Sequence, residues 1–431
     1  MNDSKTMIKL RNSFWFLPVI YGILSVVVVG ISTWIDIAYM SQLDGTYSKL
    51  FLASEKIAQS LYGPLITAIL TMTTISFSSI MVVLTTYSSQ FSPRTLQDFI
   101  SDRFTQHVLG IFVAGFVFAL FNMLFLTGKD ERLLLSPVLT VVIAVVCLLF
   151  FVLFIHHSSS FVQVSNLIEK ITRETLALLD TKEELIAGEK FEDWDGWEKL
   201  ELREGDGIPI YSEKMGYIQQ IQYENLVEHS KQDDLIIRLN AVVGQYVRRG
   251  SLLGTVWVNG NDPFKKNTVL NVIKIGSERI NTQDLEFSIQ KLVEISLRAI
   301  SPSVNDPHTA INCTNRLGSI LHRIGEVYRP KEVFFDSNRN LRVMTSPKSF
   351  FHYLYKSFYL IRHYGKGDVS VINGVLEALI LTAEGQREEI KSDIRKFHAY
   401  IMEGIDFEQY PELDKELITT TSDYLTEICK K

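Results

Sequence analysis

The stretch IAQSLYGPLITAILTMTTISFSSIMVVLTTYSSQFSP, residues 57–93, contains no Asp, Glu, Lys or Arg. A helix that crosses a bilayer needs about 20 mostly apolar residues, and this run is long enough. Three more stretches share the property: Asn12–Ile35, Phe104–Gly128 and Leu133–Ile168. Together they predict membrane helices near residues 14–35, 61–86, 107–127 and 133–156. The first is read as an uncleaved anchor. Its apolar run is too long for a signal peptide, and no small-residue cleavage site follows Ser32-Thr33-Trp34. Trp15 and Trp34 suit the two interfaces.

Charge divides the 431-residue chain in the same way. Residues 1–156 carry 9 Lys/Arg and 8 Asp/Glu, whereas the remaining 275 carry 34 basic and 41 acidic groups. A single soluble globule is excluded. So is a nucleic-acid binder driven by positive charge, since the polar part has a net charge of −7. The expected architecture is a mainly α membrane protein, with four transmembrane helices followed by an α+β cytoplasmic domain. Its parts are a membrane domain over 1–156, a helical and acidic linker over 157–207, a small β module over 208–260 and a mainly helical region over 261–431.

Basic residues near the helix ends set the expected topology. Lys5, Lys9, Arg11, Arg94, Arg103, Lys170 and Arg173 fall on one side; Lys49, Lys56, Lys129 and Arg132 fall on the other. The positive-inside bias puts both termini in the cytoplasm. Cys147, Cys313 and Cys429 form no disulfide framework, which agrees with a reducing compartment.

In the second helix Thr67, Thr71, Thr74, Ser78, Thr85 and Ser88 follow a heptad-like spacing interrupted only by Met81. The hydroxyls therefore share one face. Lipid does not reward such groups for facing outward, so the face should meet protein or water. It is either a helix–helix packing seam or the wall of a pore in an oligomer. No carboxylate or Lys/Arg lies within the four cores, which argues against a proton-coupled carrier. His107, His156 and His157 sit at helix ends and read as interfacial.

The segment Phe191–Asp206 is acidic, but Trp197 and Lys199 occupy what would be ligand slots of a calcium loop. It reads as a solvated linker. From Ile208 to Gly260 the texture becomes β, with glycines at both ends of Val243–Leu253. The spacing resembles a lipoyl or barrel-sandwich module. Neither Lys214 nor Lys231 stands in the tight turn that a carrier lysine needs, so no cofactor is implied. Thr282-Gln283-Asp284 can cap a helix whose face is Ile289, Leu292, Val293, Ser296 and Ile300. A second helix should start at Asp306-Pro307 and end before Arg329-Pro330. Phe351, Leu354, Tyr355, Phe358 and Ile361 form one later apolar stripe; Ile390, Ile394, Phe397 and Ile401 form another.

Ser88-Ser89-Gln90-Phe91-Ser92-Pro93-Arg94 and Arg298-Ala299-Ile300-Ser301-Pro302, followed by Asn305-Asp306-Pro307 and Thr309-Ala310, resemble two signature motifs. They are those of a bacterial family of predicted four-helix membrane proteins, known as a domain of unknown function. The resemblance covers nearly the whole chain and implies the architecture above. It implies no activity. The family it resembles has Gly-Ile where this chain has Ser303-Val304, and often an aromatic residue where it has His308.

No P-loop, His-Glu-x-x-His pair, nucleophile elbow or Cys/His metal set is visible. The chain is thus not expected to be an enzyme, although Asn305, Asp306 and His308 could form a cryptic site. The leading expectation is a homo-oligomeric, channel-like protein of the cytoplasmic membrane, with ions and the lipid bilayer as its partners. Thr67, Thr71, Thr74, Ser78 and Thr85 would line the path and Met81 would constrict it. Ser301, Asn305, Asp306, Pro307 and Thr309 would form a binding or structural loop. The alternative is a membrane-tethered sensor or scaffold whose cytoplasmic part binds a partner or small ligand.

Overall fold

The structure, a computed structural model, describes residues 15–38, 52–86, 102–126, 133–181, 207–258, 266–327, 329 and 331–431. Several sequence expectations lie outside them: Ser88, the Ser88–Arg94 segment, the acidic stretch Phe191–Asp206, and the basic residues Lys5, Lys9, Arg11, Lys49, Arg94, Lys129 and Arg132. The chain divides into two compact units, Met1–Asn166 and Leu167–Lys431.

Among the described residues, four helices of the first unit are long and apolar enough to cross a membrane. They are α1 (Phe16–Ala38), α2 (Glu55–Thr86), α3 (Arg103–Leu124) and α4 (Ser136–Val162). α3 is the central one, packing on α1, α2 and α4, while α2 also packs on α4. Close approach explains a glycine here. A Cβ on Gly115 would lie 2.8 Å from Cys147 Sγ and 3.1 Å from Ile143 Cγ2, so glycine lets α3 and α4 approach without displacing these side chains.

The helix ends differ from the expected ones for reasons of capping. α2 begins at Glu55, six residues before the expected start at 61, and carries Pro64 within it. Its 32 residues span about 48 Å at about 1.5 Å per residue, which exceeds a bilayer core of about 30 Å. α3 begins at Arg103 because the Asp102 side chain accepts the Thr105 amide. α4 begins only at Ser136, since Leu133-Leu134 (β2) pairs with Ala53-Ser54 (β1) instead. It stops at Gln163, where the backbone turns extended, and α5 (Val164–Thr181) follows. Leu167, Ile168, Ile171 and Leu179 of α5 are buried in the second unit.

The second unit holds two sheets. Five strands, β3 (Ile208–Tyr211), β5 (Leu235–Leu239), β7 (Leu252–Val258), β9 (Val333–Phe335) and β10 (Leu341–Met344), are ordered β3-β7-β5-β10-β9. All pairs are antiparallel except β10 with β5. β4 (Gly216–Ile221) joins β6 (Tyr246–Val247) and β8 (Ile273–Gly276) in a separate antiparallel sheet. The sheets do not close into a barrel, which corrects the barrel-sandwich likeness. The pairing is non-local: β8, β9 and β10 come from beyond residue 260, β8 pairing with β4 and β10 with β5. Ile218, Ile221, Leu235, Ile237, Leu253, Val256 and Val343 share one core between the strands, closed by Leu226 of α6 (Tyr223–Gln232).

After the short α7 (Asn267–Leu270), the rest is helical: α8 (Leu285–Ala299), α9 (Pro307–Val327), α10 (Phe350–Gly365), α11 (Val369–Ala383), α12 (Glu388–Met402) and α13 (Glu412–Lys430). α11 is apolar around its girth because α9, α10, α12 and α13 all pack on it. Gly318 of α9 permits one of these close approaches, since a Cβ there would stand 2.9 Å from the Ala378 carbonyl oxygen. The two expected stripes meet through Phe358 and Phe397, with ring centroids 6.3 Å apart. Tyr355 is exposed, stacked on Tyr359 at 4.8 Å, and Tyr353 is buried on the inner face.

Candidate functional site

Three places in the two units carry polar chemistry. The first is the outer face of α2. Thr67, Thr71, Thr74, Ser78, Met81 and Thr85 are all exposed, so none of the described helices covers them. The threonines are nevertheless satisfied. Thr67 donates to the Gly63 carbonyl (3.0 Å), Thr71 to Thr67 (2.8 Å), Thr74 to Leu70 (2.9 Å) and Thr85 to Met81. Each closes back on its own helix, the usual solution for a hydroxyl in an apolar setting.

Further along this face the pattern changes. Thr74, Ser78 and Ser79 of α2 and Ser158 and Ser159 of α4 line a groove of about 380 Å³. The Ser158 hydroxyl is buried and has no hydrogen-bond partner among the described residues. A buried hydroxyl without a partner costs roughly 1–3 kcal/mol, which a water or an ion can offset.

His157 and His107 are not idle interfacial groups. His157 Nε2 lies 3.0 Å from Asp102 Oδ2, and His107 Nδ1 lies 3.0 Å from Tyr21 Oη. Both contacts tie helices together.

The second place is the corner between α8 and α9. The Asp306 carboxylate accepts the Thr309 amide (3.1 Å) and the Thr309 hydroxyl (2.6 Å), which holds its pKa below the usual carboxylate value. The Asp306 amide donates to the Ala299 carbonyl at 2.8 Å, and the Ser301 hydroxyl donates to that of Arg298 at 2.6 Å. Asn305 takes a left-handed conformation, φ +50°, which makes the turn. Pro307 opens α9. Ser301, Asn305, Asp306, Pro307 and Thr309 thus come together, with the Asp306 carboxylate occupied in capping. His308 is exposed beside them.

The third place was not legible in the sequence. Glu286, in the first turn of α8, is buried and accepts from Lys348 Nζ (2.6 Å) and His352 Nε2 (2.7 Å). Arg279 Nη1 stands 3.7 Å away and clamps Asp284 with two hydrogen bonds of 2.7 and 2.8 Å. Asp284 in turn caps α8 through the Phe287 amide. Burial pushes the Glu286 carboxyl up, but Lys348, His352 and Arg279 together outweigh it and hold it at about 2. No signal short of the fold could have found this cluster, because α10 and the loop before it bring residues 348 and 352 to 286. Among the described residues, no group of three His, Cys, Asp or Glu is placed to hold a metal.

Residues 11–380 match the family described as "Predicted membrane protein (DUF2254)". The chain belongs to that family. Its curated relatives include the uncharacterized proteins MT1328 and Rv1290c of Mycobacterium tuberculosis and Mb1321c of Mycobacterium bovis. Each is 25% identical over 440 residues, covering 98% of this chain and 82% of the relative. No solved structure matches. The family match takes in all four apolar helices and both sheets and ends within α11. This DUF2254 chain is accordingly a membrane protein with an α+β second unit.

Proposed function

We propose that this DUF2254 protein forms a homo-oligomeric, channel-like assembly whose path is lined by the hydroxyl face of α2, with the second unit assembling or gating it. The observation that carries the reading is that Thr67, Thr71, Thr74, Ser78, Met81 and Thr85 are all left exposed by the described helices, with Thr74 and Ser78 opening onto a groove beside α4. A seam that packed the chain's own helices would be covered. The back-bonded threonines make a wall that neither binds ions tightly nor demands water, and Met81 supplies an apolar constriction. The serine groove ending at Ser158 supports a wetted stretch of that wall.

Basic residues at the helix ends support both termini lying in the cytoplasm of a bacterial cell, with the second unit there as well. Reporter fusions at either terminus test that orientation. The pore is tested by single-channel recording from purified, reconstituted protein beside a mock preparation. Discrete currents altered by Thr74→Leu are expected. In addition, Thr74→Cys should react with a water-soluble thiol reagent under opening conditions, against the background of the buried Cys147, Cys313 and Cys429.

A second reading, a membrane-tethered sensor, is favoured by one observation: a cavity in the second unit. Silence across potassium and chloride gradients, voltage and applied tension would transfer the conclusion to it.

A further inference from the structure

That cavity, half-enclosed and about 170 Å³ in volume, has walls of distinct character. Leu178 and Leu179 of α5 form one apolar side, and Tyr223, Phe334 and Pro347 form another. Tyr223 and Phe334 stack with centroids 4.9 Å apart and planes 6° from parallel, which holds both rings fixed in the wall.

Of the six polar side chains of the lining other than its two tyrosines, four are already committed. Asp284 is clamped by Arg279 and caps α8. Gln283 exchanges two hydrogen bonds with the Ile221 backbone, at 3.0 and 3.2 Å. Thr345 donates its hydroxyl to the Lys331 carbonyl (2.8 Å), and Lys348 is held by Glu286.

The other two are not. The Lys331 ammonium lies 4.7 Å from the Phe334 ring centroid and pairs with no carboxylate among the described residues. The Ser346 hydroxyl has no partner among them either. What the cavity offers a ligand is therefore a cation and a hydroxyl donor beside an aromatic wall.

We propose that this cavity is a binding site for a small organic monoanion, a carboxylate on a single-ring apolar body. Lys331 and Ser346 meet the carboxylate, and Tyr223, Phe334 and Pro347 meet the ring. Size supports the choice: an apolar cavity of about 150 Å³ holds one benzene ring, whereas larger cofactors need about 300 Å³ or more. A single uncompensated lysine among apolar walls suits one negative charge, not a polyphosphate. The site holds under either reading of the membrane unit. Its α5 wall follows α4 after the single residue Gln163, so a ligand there touches the segment next to the last membrane helix.

The test is calorimetric and saturation-transfer titration of the purified full-length protein in lipid nanodiscs, with benzoate as probe. No current is measured, so failure here leaves the pore reading untouched. Saturable binding of benzoate is expected, with none for benzylamine. Lys331→Met, which keeps the stem over Phe334, should weaken benzoate by roughly tenfold or more at an unchanged melting temperature. Ser346→Ala should weaken it by a smaller factor. Absence of saturable benzoate binding to the wild type would overturn the proposal. So would equal binding of benzylamine, unchanged affinity in Lys331→Met, or displacement of benzoate by inorganic phosphate at comparable concentration.

Discussion

Asp36, near the end of α1, accepts the backbone amides of Leu135 at 2.7 Å and Ser136 at 3.3 Å, and so caps α4 from a hundred residues away. The carboxylate is buried. A charge in this position sits against the positive end of the α4 dipole and satisfies amides that lipid could not. It is also the one acid near the end of α1, and its role is structural.

Asp36→Ala should therefore destabilise the membrane unit by about 1–2 kcal/mol, with Asp36→Asn costing less. Thermal unfolding of the detergent-solubilised protein measures this. Equal melting temperatures for wild type and Asp36→Ala would show that the cap contributes nothing.

The hydroxyls of α2 and α4 divide into two classes with opposite expectations. Thr67→Val and Thr71→Val should change stability by less than about 0.5 kcal/mol, because each hydroxyl only closes on its own helix. Ser158→Ala should stabilise the protein by up to about 1 kcal/mol, because it removes a buried hydroxyl that has no protein partner. If Ser158→Ala instead lowers the melting temperature, that hydroxyl is satisfied in the folded protein by something it holds.

At the α8–α9 corner the backbone decides the outcome. Asn305 has φ +50°, which glycine adopts freely and β-branched residues resist. Asn305→Gly should preserve the melting temperature, and Asn305→Val should lower it by an amount equivalent to about 1–3 kcal/mol. Parallel melts of the two variants make the comparison, and a Val variant as stable as the Gly one would refute it.

The Glu286 cluster predicts an acid limb to the stability of the second unit. A carboxyl held at about 2, against an ordinary 4.5, contributes stability that is fully present above pH 4.5 and is lost as pH falls toward 2. The contribution is at most about 3 kcal/mol. Glu286→Gln should lower stability at neutral pH by about 2 kcal/mol and flatten the dependence between pH 4.5 and 2. Denaturant melts at neutral pH and at pH 3 test both statements; an unchanged pH dependence in Glu286→Gln would assign the limb to other carboxylates.

Packing at Gly318 gives a sharper loss. A side chain there meets the Ala378 carbonyl at 2.9 Å, and α11 cannot retreat because four helices enclose it. Gly318→Val should cost about 3 kcal/mol or more, read as a large fall in melting temperature.

What the residues determined by themselves is what short-range physics can decide. Apolar runs of twenty or more positions fix membrane helices without reference to partners, so all four were legible from Asn12 to Ile168. Helix starts at Asp284 and Pro307 were legible for the same reason, since a cap needs only the next three amides. The shared hydroxyl face of α2 followed from helical spacing alone.

Only the tertiary structure decided which way that face turns, because burial depends on the neighbouring helices and not on the period of one. It also decided the parallel pairing of β10 with β5, more than a hundred residues apart, which left the sheets open where local texture suggested closure. Lys331, Ser346, Tyr223 and Phe334 line one cavity, and Glu286, Lys348 and His352 form one cluster, for the same reason. No periodicity in the chain marks residues that meet only after distant surfaces have packed.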